Sequence, residues 1–182
     1  RNSDIDVGIR YADPQLPGLF VQTLFRERLA VVCSAAYLER AGPFARPRDL
    51  QAATFLRSPQ IPWRPWFEAA GLPWPEPRNG PIYRDMSMLL QAAIGGSGLA
   101  LAGCVLSAAA RRDGELVQLF ELTIPAAKPY VLACDPRKRM RAEVRQFIEW
   151  IAEVAAAEPA GSTDAQPFAN TVSARAITRS PQ

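Results

Sequence analysis

The amino-acid sequence predicts an α/β domain in which strands alternate with helices. Short apolar runs of strand length recur along the chain, as at Leu29 to Cys33 (LAVVC) and Tyr130 to Cys134 (YVLAC). The segment from Met140 to Ala156 carries apolar residues at spacings of three and four, which is the pattern of an amphipathic helix. Because this alternation is typical of sheets with mostly parallel pairing, we expect such pairing here.

The first half of the chain is predicted to contain three strands and three short helices. The strands are 6–11, 29–33 and 55–57, and the helices are 34–38, 47–53 and 64–70. Ser34 is the predicted N-cap of the first helix, a proline lies in the first turn of the second, and Gly71 ends the third. Prolines and glycines place loops at 12–18 and 72–81.

The second half begins with a helix over 86–94, for which Asp85 is the predicted N-cap and Gly95 and Gly96 the stop. Strands follow at 98–102, 115–122 and 130–134, with helices at 105–112 and 140–156. In the last helix, the apolar face comprises Val144, Phe147, Ile148, Ile151 and Val154. Residues 158–182 are small, polar and without periodicity, which predicts a disordered tail.

Composition excludes several classes of chemistry. The chain has no histidine, which removes Ser-His-Asp and Cys-His nucleophile systems and His-ligated zinc. Its three cysteines are far apart and odd in number, as expected in a reducing cytoplasm. A net charge of +3 is too mild to indicate nucleic-acid binding, and no apolar run is long enough to cross a bilayer. We therefore expect a cytoplasmic protein that is not an enzyme and uses no metal or other cofactor.

Three local motifs have structural explanations that we favour over functional ones. Gly95 to Gly98 follows a helix and precedes a strand, the reverse of a phosphate-binding loop, so it predicts a tight turn. Trp63, Trp66 and Trp74 could stack on a ligand, but a small satellite core is the preferred interpretation. The basic run 137–141 is interpreted as a solvated helix start.

Five segments, taken in order, resemble the regulatory domain of LysR-type transcriptional regulators. They are 4–11 (DIDVGIRY), 29–38 (LAVVCSAAYL), 89–102 (LLQAAIGGSGLALA), 114–119 (GELVQL) and the closing strand and helix over 130–150. The forms IRYAD and FELTIPAAKPYVLA are similar to the branch that contains the glycine-cleavage and β-lactamase regulators.

The resemblance implies a two-lobed, type II periplasmic-binding-protein-like fold with two crossovers. On that basis lobe I holds residues 1–33 and 125–157, and lobe II holds 34–124. The first crossover is expected near Val32 to Ser34 and the second near Leu122 to Lys128. Lobe I is expected to be incomplete at its N-terminus, because the winged helix-turn-helix, the linker helix and a first strand–helix–strand have no counterpart in this sequence.

The candidate ligand-binding residues come from two sources. In doubly wound sheets, ligands bind beyond the carboxyl ends of strands, which selects Arg10, Tyr11, Ser34, Arg57 and the helix start at Asp85, Met86 and Ser87. The resemblance adds Tyr130, because the branch has an effector-facing tyrosine in this strand. The branch often has serine or threonine where Asp85 and Met86 stand, so this sequence departs from it there.

The resemblance implies an effector-sensing domain that binds a small molecule between its lobes. The expected partners are that effector, further copies in a homodimer or homotetramer, and DNA through the absent N-terminal domain; no membrane is expected. A solute-binding protein of a transporter with the same fold is the alternative, and an enzyme on a similar scaffold is disfavoured by the lack of histidine.

Overall fold

The chain builds two β-sheets that share no strand. The computed structural model describes residues 5–157, so the predicted tail at 158–182 lies outside the described residues. The strands are β1 (Gly8–Tyr11), β2 (Phe20–Phe25), β3 (Arg28–Cys33), β4 (Phe55–Leu56), β5 (Leu99–Gly103), β6 (Val117–Gln118), β7 (Ile124–Pro125) and β8 (Tyr130–Cys134). The small sheet has the order β1-β8-β2. The large sheet has the order β4-β5-β3-β6, and β7 pairs with β3.

The helices cover the sheets, and two of them begin at the caps that the sequence predicts. They are α1 (Ala35–Ala41), α2 (Arg64–Ala69), α3 (Met86–Ile94), α4 (Ala108–Arg112), α5 (Pro136–Arg139) and α6 (Ala142–Ala157), with a 3-10 helix over Pro47–Ala52. The Ser34 side chain accepts a hydrogen bond from the Tyr37 amide, and the Asp85 side chain accepts from the amides of Ser87 and Met88. Both predicted N-caps are confirmed.

The predicted parallel pairing is wrong for most of the strands. Among the described strands β4 and β5 pair in parallel, and every other pair is antiparallel. The reason lies in the order of the strands: β8 inserts between β1 and β2, and β3 lies between β5 and β6 rather than beside β4. Alternation of strands and helices along the chain therefore does not fix strand direction here.

The chain crosses between the sheets earlier than the sequence predicts. All of β3 pairs within the large sheet, so the first crossover is Arg26–Glu27 rather than the expected Val32 to Ser34. The second crossover lies at residues 126–129, between β7 and β8, and overlaps the expected range. Sheet membership thus divides the chain near residues 26 and 127, while the lobes as separate units stay a prediction.

The large sheet is buried on both faces, as its continuous apolar runs predict. On one face Leu29, Val31 and Cys33 pack with Leu99, Leu101 and the α2 region. On the other face Ala30 and Val32 pack with the buried residues of α3. Trp63 and Trp66 are fully buried in the first of these clusters, and Trp74 contacts Phe67 edge-on at 5.3 Å. The interpretation of the tryptophans as core is therefore confirmed, although they join the main core rather than a satellite.

The small sheet is covered on one face by α6. Leu132 and Cys134 of β8 pack against Val144 and Ile148. The buried stripe of α6 is narrower than predicted, because Phe147 is 39% exposed and Val154 is 41% exposed. Within residues 5–157, no helix has the length and apolarity needed to span a membrane.

Candidate functional site

An aromatic row crosses the small sheet at the end that adjoins the crossovers. In the strand register Tyr11 of β1 and Phe25 of β2 both pair with Tyr130 of β8. The Tyr130 ring is stacked on Phe25 with centroids 5.1 Å apart and is tilted against Tyr11 at 5.6 Å. Tyr11 also packs against the core of the large sheet. This row therefore stands where the small sheet contacts the core of the large one, and we call the surface beside it, where a ligand-binding cleft is predicted, the inter-sheet cleft.

The two tyrosine hydroxyls of the row differ in their partners. The Tyr11 hydroxyl accepts a hydrogen bond from the Lys128 amide at 3.1 Å, in the second crossover. The Tyr130 hydroxyl forms no hydrogen bond with any residue from 5 to 157. Burial raises the pKa of Tyr130 to about 12, and the negative charge of Glu27 acts in the same direction. Tyr130 thus holds a neutral hydroxyl that can still donate and accept.

The large sheet holds a second set of candidates, at the end of β4. The C-terminal end of β5 lies beside the first crossover, because Gly103 pairs with Leu29, whereas Leu56 at the end of β4 pairs with Ala100, which lies opposite Val32 near the other end of β3. Arg57 directly follows β4 and forms a bridge with Ile82, and the Tyr83 amide donates to the Arg57 carbonyl at 2.8 Å. This pairing places the start of α3 beside the end of β4.

The side chains of Arg57 and Asp85 already form hydrogen bonds with neighbouring backbone groups. The Arg57 guanidinium donates to the Gly80 carbonyl at 3.0 and 2.9 Å and to the Pro77 carbonyl at 3.1 Å, so it holds the proline-rich loop. Asp85 Oδ1 accepts from the Ser87 amide at 2.8 Å and from the Met88 amide at 3.0 Å. The N–H groups that would attract an anion to this helix start already bind a carboxylate.

Ser34 and Arg10, two further predicted site residues, lie away from the aromatic row. Ser34 follows β3, and a six-residue strand places it about 20 Å from the first crossover. It is buried there as a helix cap. Arg10 precedes Tyr11 on β1, and since side chains alternate along a strand it lies on the other face of the small sheet. The carboxyl-end rule selected both residues, but it presupposes parallel strands.

Glu27, in the first crossover, is a functional candidate that the sequence analysis missed. It is 2% exposed, and its carboxylate accepts hydrogen bonds from the amides of Val105 at 3.0 Å and Leu106 at 3.1 Å. Burial raises the pKa of the Glu27 carboxyl, although these amides and Arg111 act to lower it. The signal in the sequence is an acidic residue between two arginines, one position removed from the continuous apolar run that begins at Leu29.

The described residues show neither an activated thiol nor a cluster of side chains arranged to bind a metal ion. Burial raises the pKa of the Cys33 thiol to about 12, and it raises the pKa values of the Cys104 and Cys134 thiols as well. From residue 5 to residue 157, no cluster of three or more His, Cys, Asp or Glu side chains is arranged to hold a metal ion.

Two surface hollows lie away from the aromatic row. One of about 380 Å³ is lined by the loop from Pro14 to Leu19 together with Val21. The other, of about 340 Å³, lies beside α6 and is lined by residues such as Arg145 and Glu149. Neither is lined by a predicted site residue, so we base the candidate site on the strand register and the unpaired hydroxyl.

Comparison with known proteins gives a consistent picture. The family model described as "LysR substrate binding domain" matches residues 1–156. The glycine cleavage system transcriptional activator of Escherichia coli K12 is 34% identical over 156 residues, which are 85% of this chain and 51% of the relative. The HTH-type transcriptional regulator BlaA of Proteus vulgaris is 30% identical over 148 residues, covering 81% of this chain and 49% of the relative.

A solved structure agrees with these relatives. The effector domain of the transcriptional regulator AmpR of Pseudomonas aeruginosa superposes with a TM-score of 0.73 at 27% identity, covering 84% of this chain and 72% of that one. The chain spans about half the length of the curated relatives that it matches.

Proposed function

The chain belongs to the LysR substrate-binding domain family, and from this membership we propose that it senses a small-molecule effector for a transcriptional regulator. It has the two-lobed, periplasmic-binding-protein-like α/β fold of the LysR effector-binding domains. The relatives that it matches are named as transcriptional regulators, which favours this function over transport. We further propose that the regulator works in the cytoplasm as a homodimer or homotetramer and contacts DNA through a segment outside this chain.

The observation that carries the proposal is the unpaired Tyr130 hydroxyl at the inter-sheet cleft. Tyr130 is part-buried and its hydroxyl is accessible to solvent, so the hydroxyl is free to contact a ligand. Here the ring is fixed between Tyr11 and Phe25 while the hydroxyl has no partner in residues 5–157. A ligand in the cleft would supply that partner.

The start of α3 limits the charge that the ligand can present to it. A ligand carboxylate at this position would meet the Asp85 carboxylate and donors that Asp85 already occupies. Arg57 cannot compensate fully, because its guanidinium binds the 77–80 loop. We therefore propose that Met86 and Ser87 face a neutral or cationic part of the effector, as in an amino-acid-like or peptide-like compound.

A panel of simple compounds tests this assignment by thermal shift. Succinate and other dicarboxylates, free amino acids and short peptides are added to wild type, Asp85→Ser and Tyr130→Phe. We expect an amino-acid-like or peptide-like compound to raise the Tm of the wild type and to do so less in Tyr130→Phe. Dicarboxylates should act better on Asp85→Ser, because the like charge is gone. Equal stabilisation of wild type and Asp85→Ser by dicarboxylates would refute the electrostatic part.

A further inference from the structure

The first crossover buries a carboxylate that reaches across to the large sheet. Glu27 binds the backbone amides of Val105 and Leu106, which lie 78 and 79 residues further along the chain. A Cβ atom added at Gly103 would lie 2.5 Å from the Glu27 Cδ atom, so the end of β5 is shaped around this side chain. Glu27 is thus enclosed by backbone, which leaves its carboxylate no role as a ligand contact.

Arg26, Glu27 and Arg28 also bind the segment from Thr123 to Ala127, which leads into the second crossover. The Ala126 amide donates to the Glu27 carbonyl at 2.8 Å. Arg26 Nη1 donates to the carbonyls of Ala126 and Ala127, both at 3.0 Å. Arg28 donates to the Thr123 hydroxyl at 2.7 Å and to the Thr123 carbonyl at 2.8 Å. The Cys104 amide donates to the Arg28 carbonyl at 2.8 Å as well. Eight hydrogen bonds therefore join these three consecutive residues to two distant segments.

We propose that Arg26, Glu27 and Arg28 form a clamp that locks the two crossovers together and fixes the orientation of the small sheet relative to the large one. Glu27 is its positioning residue, because it joins both crossovers to the loop after β5. Any change in the angle between the sheets must break or shift some of these bonds. Our inference that effector binding is transmitted through this clamp rests on the proposed function.

The clamp also adjoins the candidate site. The negative charge of Glu27 contributes to the raised pKa of Tyr130, so the carboxylate acts within electrostatic range of the cleft hydroxyl. Leu106, whose amide Glu27 binds, has a side chain exposed beside the same end of the large sheet. A shift of Glu27 would therefore alter the electrostatic potential at Tyr130 and the backbone position of Leu106.

Distance measurements in the full-length protein test the clamp without any ligand. Spin labels are placed on cysteines introduced at two exposed positions, Gln91 of α3 and Gln146 of α6, and their separation is measured by pulsed electron resonance. Glu27→Gln keeps the size of the side chain but replaces one acceptor by a donor that faces an amide N–H. We expect a broadened or shifted distance distribution. Glu115→Gln, at an exposed glutamate, is the matched control and should superimpose on wild type.

Amide hydrogen exchange distinguishes the clamp from the alternative in which Glu27 only binds the amides of Val105 and Leu106. The bond between the Ala126 amide and the Glu27 carbonyl is formed by backbone and is not removed by Glu27→Gln. If the clamp is one unit, the Ala126 amide should still exchange about fivefold faster, the fold-change expected for about one lost hydrogen bond. Faster exchange confined to Val105 and Leu106, with unchanged label distances, would overturn the proposal.

Arg28→Ala tests the clamp if Glu27→Gln does not fold. Arg28→Ala removes the two bonds to Thr123 from an exposed side chain and is compared with Arg48→Ala, another exposed arginine. Broadening of the label distances in Arg28→Ala alone supports the clamp, and distributions identical to wild type overturn it. Because no effector is used, these outcomes are independent of the ligand panel.

Discussion

At the scale of single residues, Tyr130 is the side chain on which binding is expected to depend most directly. Its ring is held by Phe25 and Tyr11, so a change to phenylalanine preserves the packing and removes the hydroxyl alone. In the full-length regulator we expect Tyr130→Phe to weaken the effector response by about 1 kcal/mol, or about fivefold in half-maximal concentration. A reporter dose-response curve measures this, with Tyr83→Phe as control; an unshifted curve for Tyr130→Phe would contradict the contact.

The raised pKa of Tyr130 predicts a specific loss of stability in alkali. The folded chain holds this pKa at about 12, whereas the unfolded tyrosine ionises near its ordinary value of 10.0. Between these values the folded state binds more protons, so the free energy of unfolding falls as pH rises, and the contribution is fully present below pH 10. Urea unfolding at pH 9, 10 and 11 should show a steeper decline for wild type than for Tyr130→Phe. Parallel declines would count against the assignment.

The sequence analysis selected Tyr11 from the carboxyl-end rule and Tyr130 from the resemblance, and the structure places their rings side by side. It also predicted the helix start at Asp85 from capping, while the ligand contacts of all these residues stay a prediction. Ser34 and Arg10 were selected by a rule for parallel sheets, and the antiparallel register of β3 and β8 moves them away. The commitment of Arg57 to the 77–80 loop could not be predicted, because that depends on how a proline-rich loop returns to β4.

At the scale of elements, the Asp85 cap is expected to stabilise α3 measurably. Its carboxylate satisfies two first-turn amides that would otherwise rely on water. We expect Asp85→Ala to lower the free energy of unfolding by about 1 kcal/mol and Asp85→Ser to retain most of it. Chemical denaturation of the three proteins measures the difference. If alanine and serine are equally destabilising, the cap is not the source of the effect.

Elements with strong local signals were predicted, and elements defined by distant partners were not. The caps at Ser34 and Asp85 and the apolar runs of β3, β5 and β8 carry their own evidence in the sequence. β2 (FVQTLF) was missed because polar residues interrupt it, and it becomes a strand through pairing with β8. The predicted strand over 115–122 shrinks to β6, since Val117 and Gln118 pair with β3 and the Leu119 amide adds one hydrogen bond, to the Val31 carbonyl at 2.9 Å.

At the scale of the whole molecule, the charge distribution predicts that this chain alone does not bind DNA specifically. The basic run of 137–141 is offset by nearby carboxylates, since Lys138 and Arg141 both pair with Asp6 at 3.1 Å and Arg137 pairs with Asp135 at 2.9 Å. Reading base edges also requires an element that enters a groove. Fluorescence anisotropy at physiological salt should show no sequence-selective binding of duplex DNA by the purified chain. Selective binding that persists at that salt concentration would contradict this.

The hydrogen bond between Ala126 and Glu27 has a consequence for the modularity of the chain. The backbone leaves the small sheet at Glu27 and returns at Ala126, and these two residues are joined by an N–O distance of 2.8 Å. The two ends of segment 28–125 therefore lie side by side, as do the ends of a domain that is inserted into another domain. A foreign domain with adjacent termini could replace residues 28–125, and the large-sheet segment could be circularly permuted or transplanted into a relative. The share of effector specificity that the start of α3 supplies would then be exchangeable by grafting this segment, whereas Tyr11 and Tyr130 would stay with the sheet that receives it.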